Sequence, residues 1–149
     1  MPIFDLAQRL LLAAALGAAI GLEREYRRKP AGLRTNILIG LGSALFTSIS
    51  MAMTAGGGSD RIAAQVVTGV GFLGGGAILR SGSNVHGMTT AATIWVNAAI
   101  GVAAGTGQVA LATLTTALTL VVLVVLPPIE TYFEKRAGWP DRHHGRPPE

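Results

Sequence analysis

Gly21-Leu-Glu-Arg-Glu-Tyr-Arg-Arg-Lys-Pro-Ala-Gly-Leu-Arg-Thr-Asn36 is the stretch whose reading decides the fold. Seven of its positions are charged: Glu23, Arg24, Glu25, Arg27, Arg28, Lys29 and Arg34. Apolar sequence runs up to it from Leu10 and away from it after Ile37. A charged block between two membrane-length stretches belongs where lipid meets water. Its Lys/Arg excess argues for the cytoplasmic side, because short basic loops are retained there. Glu23 and Arg27 are four apart, so a helix continuing to about Arg28 places an acid and a base on one face. Pro30 and Gly32 are then expected to break it. On its charge alone the block is a topology anchor. Glu23 argues for more, since acids contribute little to topology and one at a membrane boundary needs a partner. Arg34 is the geometric candidate, because an arginine across the loop can grip a carboxylate bidentately.

The surrounding composition agrees with a membrane protein. Half of the 149 residues are hydrophobic, 13% are charged and the mean hydropathy is +0.48; soluble domains carry about a quarter charged residues. The net charge of +4 raises nucleic acid as a partner. No basic face alternates with stacking aromatics, so lipid headgroups are the expected partner and nucleic acid is not. With no cysteine, disulfides and thiolate sites are excluded.

Five segments approach the roughly 20 residues a crossing needs: Ile3 to Leu22, Leu33 to Ala55, Ile62 to Leu79, Met88 to Ala104 and Val109 to Leu126. Gly56–Arg61 and Ser81–Gly87 read as turns, and Pro127 and Pro128 as the stop of the fifth segment. The expected fold is therefore an all-α, polytopic bundle of about five transmembrane helices. Residues 1–128 form the membrane domain, and 129–149 a tail, helical to Arg136 and then disordered. Ten of the twelve Lys/Arg fall on one side of that arrangement, leaving Arg9 and Arg61. This predicts the N-terminus outside and the C-terminus in the cytoplasm.

Gly69-Val-Gly71-Phe-Leu-Gly74 spells a dinucleotide-binding fingerprint, but inside an apolar span with no acid between Asp60 and Glu130. No cofactor is expected. Gly69, Gly71, Gly74 and Gly75 read instead as helix-packing positions. Ala64, Thr68, Gly71 and Gly75 mark one face of the third span. Ala91, Ala98 and Gly105, beside Thr93, Asn97 and Gly101, mark the fourth, and the two faces are expected to meet. Asp5 and Arg9 either pair or snorkel separately. Asn97, mid-span, is interhelical glue or part of a site. Thr89 and Thr90 are candidate caps. His86 has no second ligand at metal spacing, and His143-His144 hold metal at most adventitiously. No nucleophile, base and orienter come together, so an enzyme is not expected.

Gly21-Leu-Glu-Arg-Glu25, Ala31-Gly-Leu-Arg-Thr-Asn36, Gly40-Leu-Gly-Ser-Ala-Leu-Phe46, Arg61-Ile-Ala-Ala-Gln65, Gly69-Val-Gly-Phe-Leu-Gly74 and Gly87-Met-Thr-Thr-Ala-Ala-Thr-Ile-Trp95 resemble the signature of the MgtC/SapB membrane proteins, over roughly residues 5 to 126. The resemblance implies a bacterial inner-membrane protein linked to growth at low magnesium and survival inside phagocytes. It also implies, for one branch, restraint of the F-type ATP synthase. This chain resembles the short form, without the ACT-type C-terminal domain of longer members. The resemblance carries functional-motif roles to Glu23, Arg24, Glu25, Arg34, Thr35, Asn36, Thr89 and Thr90, and to the region of Asn97. Two functions follow, beside a purely structural scaffold that fits the glycine-rich packing but leaves Glu23 unexplained. One is a non-enzymatic regulator that binds another membrane complex. The other is a small transporter or channel for Mg²⁺ or another ion, for which the missing mid-membrane carboxylates are a poor supply of ligands. Homo-oligomerisation stays open.

Overall fold

The computed structural model describes residues 2–53, 61–81 and 84–137. Five helices are present there: α1 (Ile3–Tyr26), α2 (Leu33–Met53), α3 (Arg61–Gly76), α4 (Met88–Gly105) and α5 (Val109–Ala137). Strands β1 (Leu79–Ser81) and β2 (Asn84–His86) form a small antiparallel hairpin between α3 and α4, with Arg80 opposite Val85. The expected turn over Gly56–Arg61 and the disordered tail after Arg136 lie almost wholly outside the described residues.

Four helices, α1, α2, α4 and the Val109–Phe133 part of α5, are long and apolar enough to cross a membrane. α3 has sixteen residues, about 24 Å at 1.5 Å per residue, which is shorter than a hydrocarbon core of about 30 Å. It ends at Gly76 rather than Leu79 because the chain turns into the hairpin.

α2 packs between α1 and α4, and glycines set how closely it is approached. A Cβ on Gly17 of α1 would lie 2.6 Å from Asn36 O, and one on Gly21 2.7 Å from Leu33 Cα. On the other side, a Cβ on Gly101 would fall 2.6 Å from Gly40 O, and one on Gly105 2.6 Å from Ala44 O. These pairings make α1 antiparallel and α4 parallel to α2. Without a hydrophobic force between helices in lipid, backbone contact of this kind is what holds spans together. α3 returns antiparallel to α4, with Gly74 against Ala91 and with Val66 and Val70 clustered with Ile94 and Ala98.

This arrangement corrects the expected glycine interface. α3 and α4 do pack, but Gly69, Gly71 and Gly75 take no part: a Cβ on any of them would meet nothing within 4 Å. The Asn97–Gly101–Gly105 stripe of α4 faces α2 instead. Spacing marks a small-residue face without naming its partner.

Two other helix ends bear on the expectation. α1 ends at Tyr26, within two residues of the expected end, but its own capping turn rather than Pro30 stops it. Arg28 N–H donates to Glu25 O (3.0 Å) and Lys29 N–H to Arg24 O (2.9 Å), while Arg28 takes the left-handed conformation at φ 53°. This is the Schellman pattern with arginine in the place usually held by glycine. At its far end, α5 continues through Pro127 and Pro128 to Ala137. Prolines persist in membrane helices where a neighbour satisfies the carbonyls they free.

Candidate functional site

The charged block forms a layered polar region where α1, α2, α4 and α5 come together. In the outer layer, Glu23 is pinned by its own helix. Arg27 Nε lies 2.7 Å from Glu23 Oε1, and Arg24 Nη1 3.6 Å from Oε2. Neither contact has hydrogen-bond geometry, so both are electrostatic. Arg24 is only 4% exposed, and its Nε has no partner among the described residues. Two charges are thus nearly removed from water and depend on each other.

Arg27 also reaches α5. Its Nη2 donates to Val124 O at 3.3 Å. Val124 O is the carbonyl a backbone N–H would take at position 128, and Pro128 has none. One guanidinium therefore ties the carboxylate of α1 to the gap the prolines leave in α5. Arg27→Gln should accordingly lower the thermal midpoint in detergent, and Pro128→Ala should shrink that loss by about 1 kcal/mol by giving Val124 O a backbone donor. Additive effects in this double-mutant cycle would mean that the carbonyl and the guanidinium are not coupled.

The expected Glu23–Arg34 clamp is not formed. Arg34 is exposed and one turn from Leu38, which is also exposed, so this face of α2 points away from the bundle. Among the described residues Arg34 makes no ion pair.

The middle layer locks the loop. Glu25 Oε2 accepts from Leu33 N–H at 3.1 Å, placing a carboxylate at the positive start of α2. Asn36 Nδ2 donates to Ala31 O and to Gly32 O, the latter at 3.0 Å. Ala31 is held in the left-handed region at φ 57°, a strained backbone for a residue with a side chain. The inner layer is the Asn36–Asn97 pair, both fully buried. Asn97 Nδ2 donates to Asn36 O (2.7 Å) and Asn36 Oδ1 (3.2 Å), joining α4 to α2.

The remaining motif residues are dispersed. Thr90 is buried, whereas Thr35 and Thr89 are exposed. Neither threonine caps α4, which begins at Gly87 in the left-handed conformation (φ 87°) with no side-chain cap. At the opposite end of the bundle Arg9 pairs with Asp5 at 3.0 Å and donates to Gly105 O at 2.7 Å, so a cation rests on the C-terminus of α4. Among the described residues no group of three His, Asp or Glu could hold a metal ion; His143-His144 lie outside them.

Sequence reasoning missed Arg27 as a bridge and Gly17, Gly21 and Gly40 as contact points. A signal existed for the glycines. Gly17 and Gly21 are four apart, as are Gly40 and Ala44, the spacing that lets membrane helices touch.

The fold and the motif now have known counterparts. The sequence model of the MgtC family matches residues 10–132. The chain belongs to the MgtC family. It is 52% identical over 108 residues to protein MgtC of Salmonella typhimurium, covering 72% of this chain and 46% of that protein. It is 41% identical over 136 residues to protein MgtC of Brucella abortus, covering 91% and 57%. An uncharacterized protein of Synechocystis sp. is 44% identical over 124 residues, covering 83% and 53%. The chain thus spans about half the length of these curated MgtC-family relatives. No solved structure matches it. Family membership and the four long apolar helices make this a multi-pass membrane protein.

Proposed function

We propose that this chain is a non-enzymatic regulator of the bacterial inner membrane that supports adaptation to low magnesium. It would act by binding another membrane complex, of which the F-type ATP synthase is the one the family resemblance suggests. The observation that carries this reading is how the bundle interior is used. α1, α2 and α4 meet backbone to backbone at Gly17, Gly40, Gly101 and Gly105, while Asn97 donates to Asn36 and Asn36 donates to the loop. A path for Mg²⁺ needs oxygen ligands in octahedral array, carboxylates foremost, and retained water. The described carboxylates lie at the ends instead: Asp5 and Glu23 near the two ends of α1, Glu25 at the loop, and Glu130 late in α5. The polar region around Glu23 and Arg27 is then the functional mouth, facing the cytoplasm with the basic loop.

The test separates growth from uptake. In a bacterium deleted for its own relative, the chain should restore growth at low magnesium while the Mg²⁺ uptake rate per cell stays unchanged. Uptake that rises in step with growth would favour transport.

A further inference from the structure

α2 and α3 leave an open groove of about 560 Å³ between them, within the range of a small-ligand pocket. It exists because of two glycines. Gly42 on α2 and Gly69 on α3 line it, and a Cβ on either would meet nothing within 4 Å. The walls are otherwise mostly apolar, with Leu38, Phe46, Val66 and Leu73 among them. The outward face of α5, by contrast, carries leucines and valines such as Leu114, Leu118, Val121 and Val125.

One end of the groove is basic. Thr35 lines it there, and Arg34 sits one helical turn before Leu38 on the same exposed face. Arg28 and Lys29, also exposed, stand in the adjoining loop. Among the described residues none of these three cations belongs to an ion pair, while Arg24 and Arg27 are taken by Glu23.

We propose that this groove binds one anionic phospholipid, with an acyl chain between Gly42 and Gly69 and the phosphate at Arg34 and the Thr35 hydroxyl. This goes beyond the regulatory reading and does not depend on it. Charge selects the occupant. A second copy docked side by side would bring its own Arg28, Lys29 and Arg34 to the same level, and membrane spans in general carry Lys/Arg on their cytoplasmic flank. A phosphate headgroup is attracted where those groups are repelled.

Native mass spectrometry of the full chain in detergent, with equal amounts of phosphatidylglycerol and phosphatidylcholine, tests the proposal. The parent should retain one phosphatidylglycerol per chain, at least tenfold over phosphatidylcholine. Gly69→Leu should reduce that retention about tenfold without changing the elution volume, since the new side chain fills open space. Gly42→Leu should do the same from the other wall. Arg34→Gln should cut the preference for phosphatidylglycerol about fivefold, the effect of one basic residue near an anionic headgroup. Equal retention of the two lipids by the parent would overturn the proposal. So would unchanged retention in both glycine variants. A parent dimer that either leucine variant dissociates would make the groove an interface between copies instead.

Discussion

Gly101→Leu should abolish folded yield in detergent, while Gly71→Leu should leave it near the parental level. A Cβ at position 101 would lie 2.6 Å from Gly40 O and 2.7 Å from Ser43 Cβ. A backbone carbonyl cannot swing aside as a flexible side chain can. Overpacking a fitted core costs about 1–3 kcal/mol even where side chains can adjust, and a leucine here forces whole helices apart. Asn97, one turn before Gly101, would then lose its bonds to Asn36, and the loop anchored by Asn36 would follow. A total stability of about 5–15 kcal/mol leaves little margin for such a chain of losses. Gly71 faces open space, so its replacement adds apolar surface to a lipid-facing helix. Size-exclusion profiles of the two variants settle the matter, and equal tolerance would mean that α2 and α4 do not meet through Gly40 and Gly101.

Glu23→Gln is the second large effect. It leaves Arg24, at 4% exposure, beside an amide instead of a carboxylate. Removing one partner of a buried ion pair costs about 3–5 kcal/mol, so the thermal midpoint should fall steeply. Low-magnesium growth should be lost even in cells where the variant still reaches the membrane. Arg28→Gln, at an exposed position outside every ion pair of the described residues, should change neither. Exchanging the charges in Glu23→Arg/Arg27→Glu should recover part of the midpoint, because Arg27 Nε is the closer cation at 2.7 Å. If Glu23→Gln grows and melts like the parent, the charged block is only a topology anchor.

Much of this was legible before any coordinates. Uninterrupted apolar runs set the five helices, and Asp5–Arg9 at helical spacing suggested a pair that does form. Asn97 stood out because an amide in mid-span must find a partner, yet nothing in the sequence named Asn36. That bond depends on α2 and α4 running parallel in contact, which the glycines at 40, 101 and 105 permit. The choice of Arg27 over Arg34 was hidden in the loop. Arg28 and Ala31 in left-handed conformations turn the chain so that Asn36 faces the bundle and Arg34 faces outward. Pro127 and Pro128 misled because a proline pair stops a helix in water. Here Arg27 takes up one of the freed carbonyls, a tertiary contact that local propensity cannot encode.

Ion flux tests the central claim most directly. The purified full chain, alone in liposomes loaded with Mg²⁺- or H⁺-sensitive dye, should pass neither ion faster than empty liposomes under an imposed gradient and membrane potential. Flux of either ion that scales with protein content and disappears in Glu23→Gln would contradict the regulatory account and make the polar mouth the entrance to a transport path.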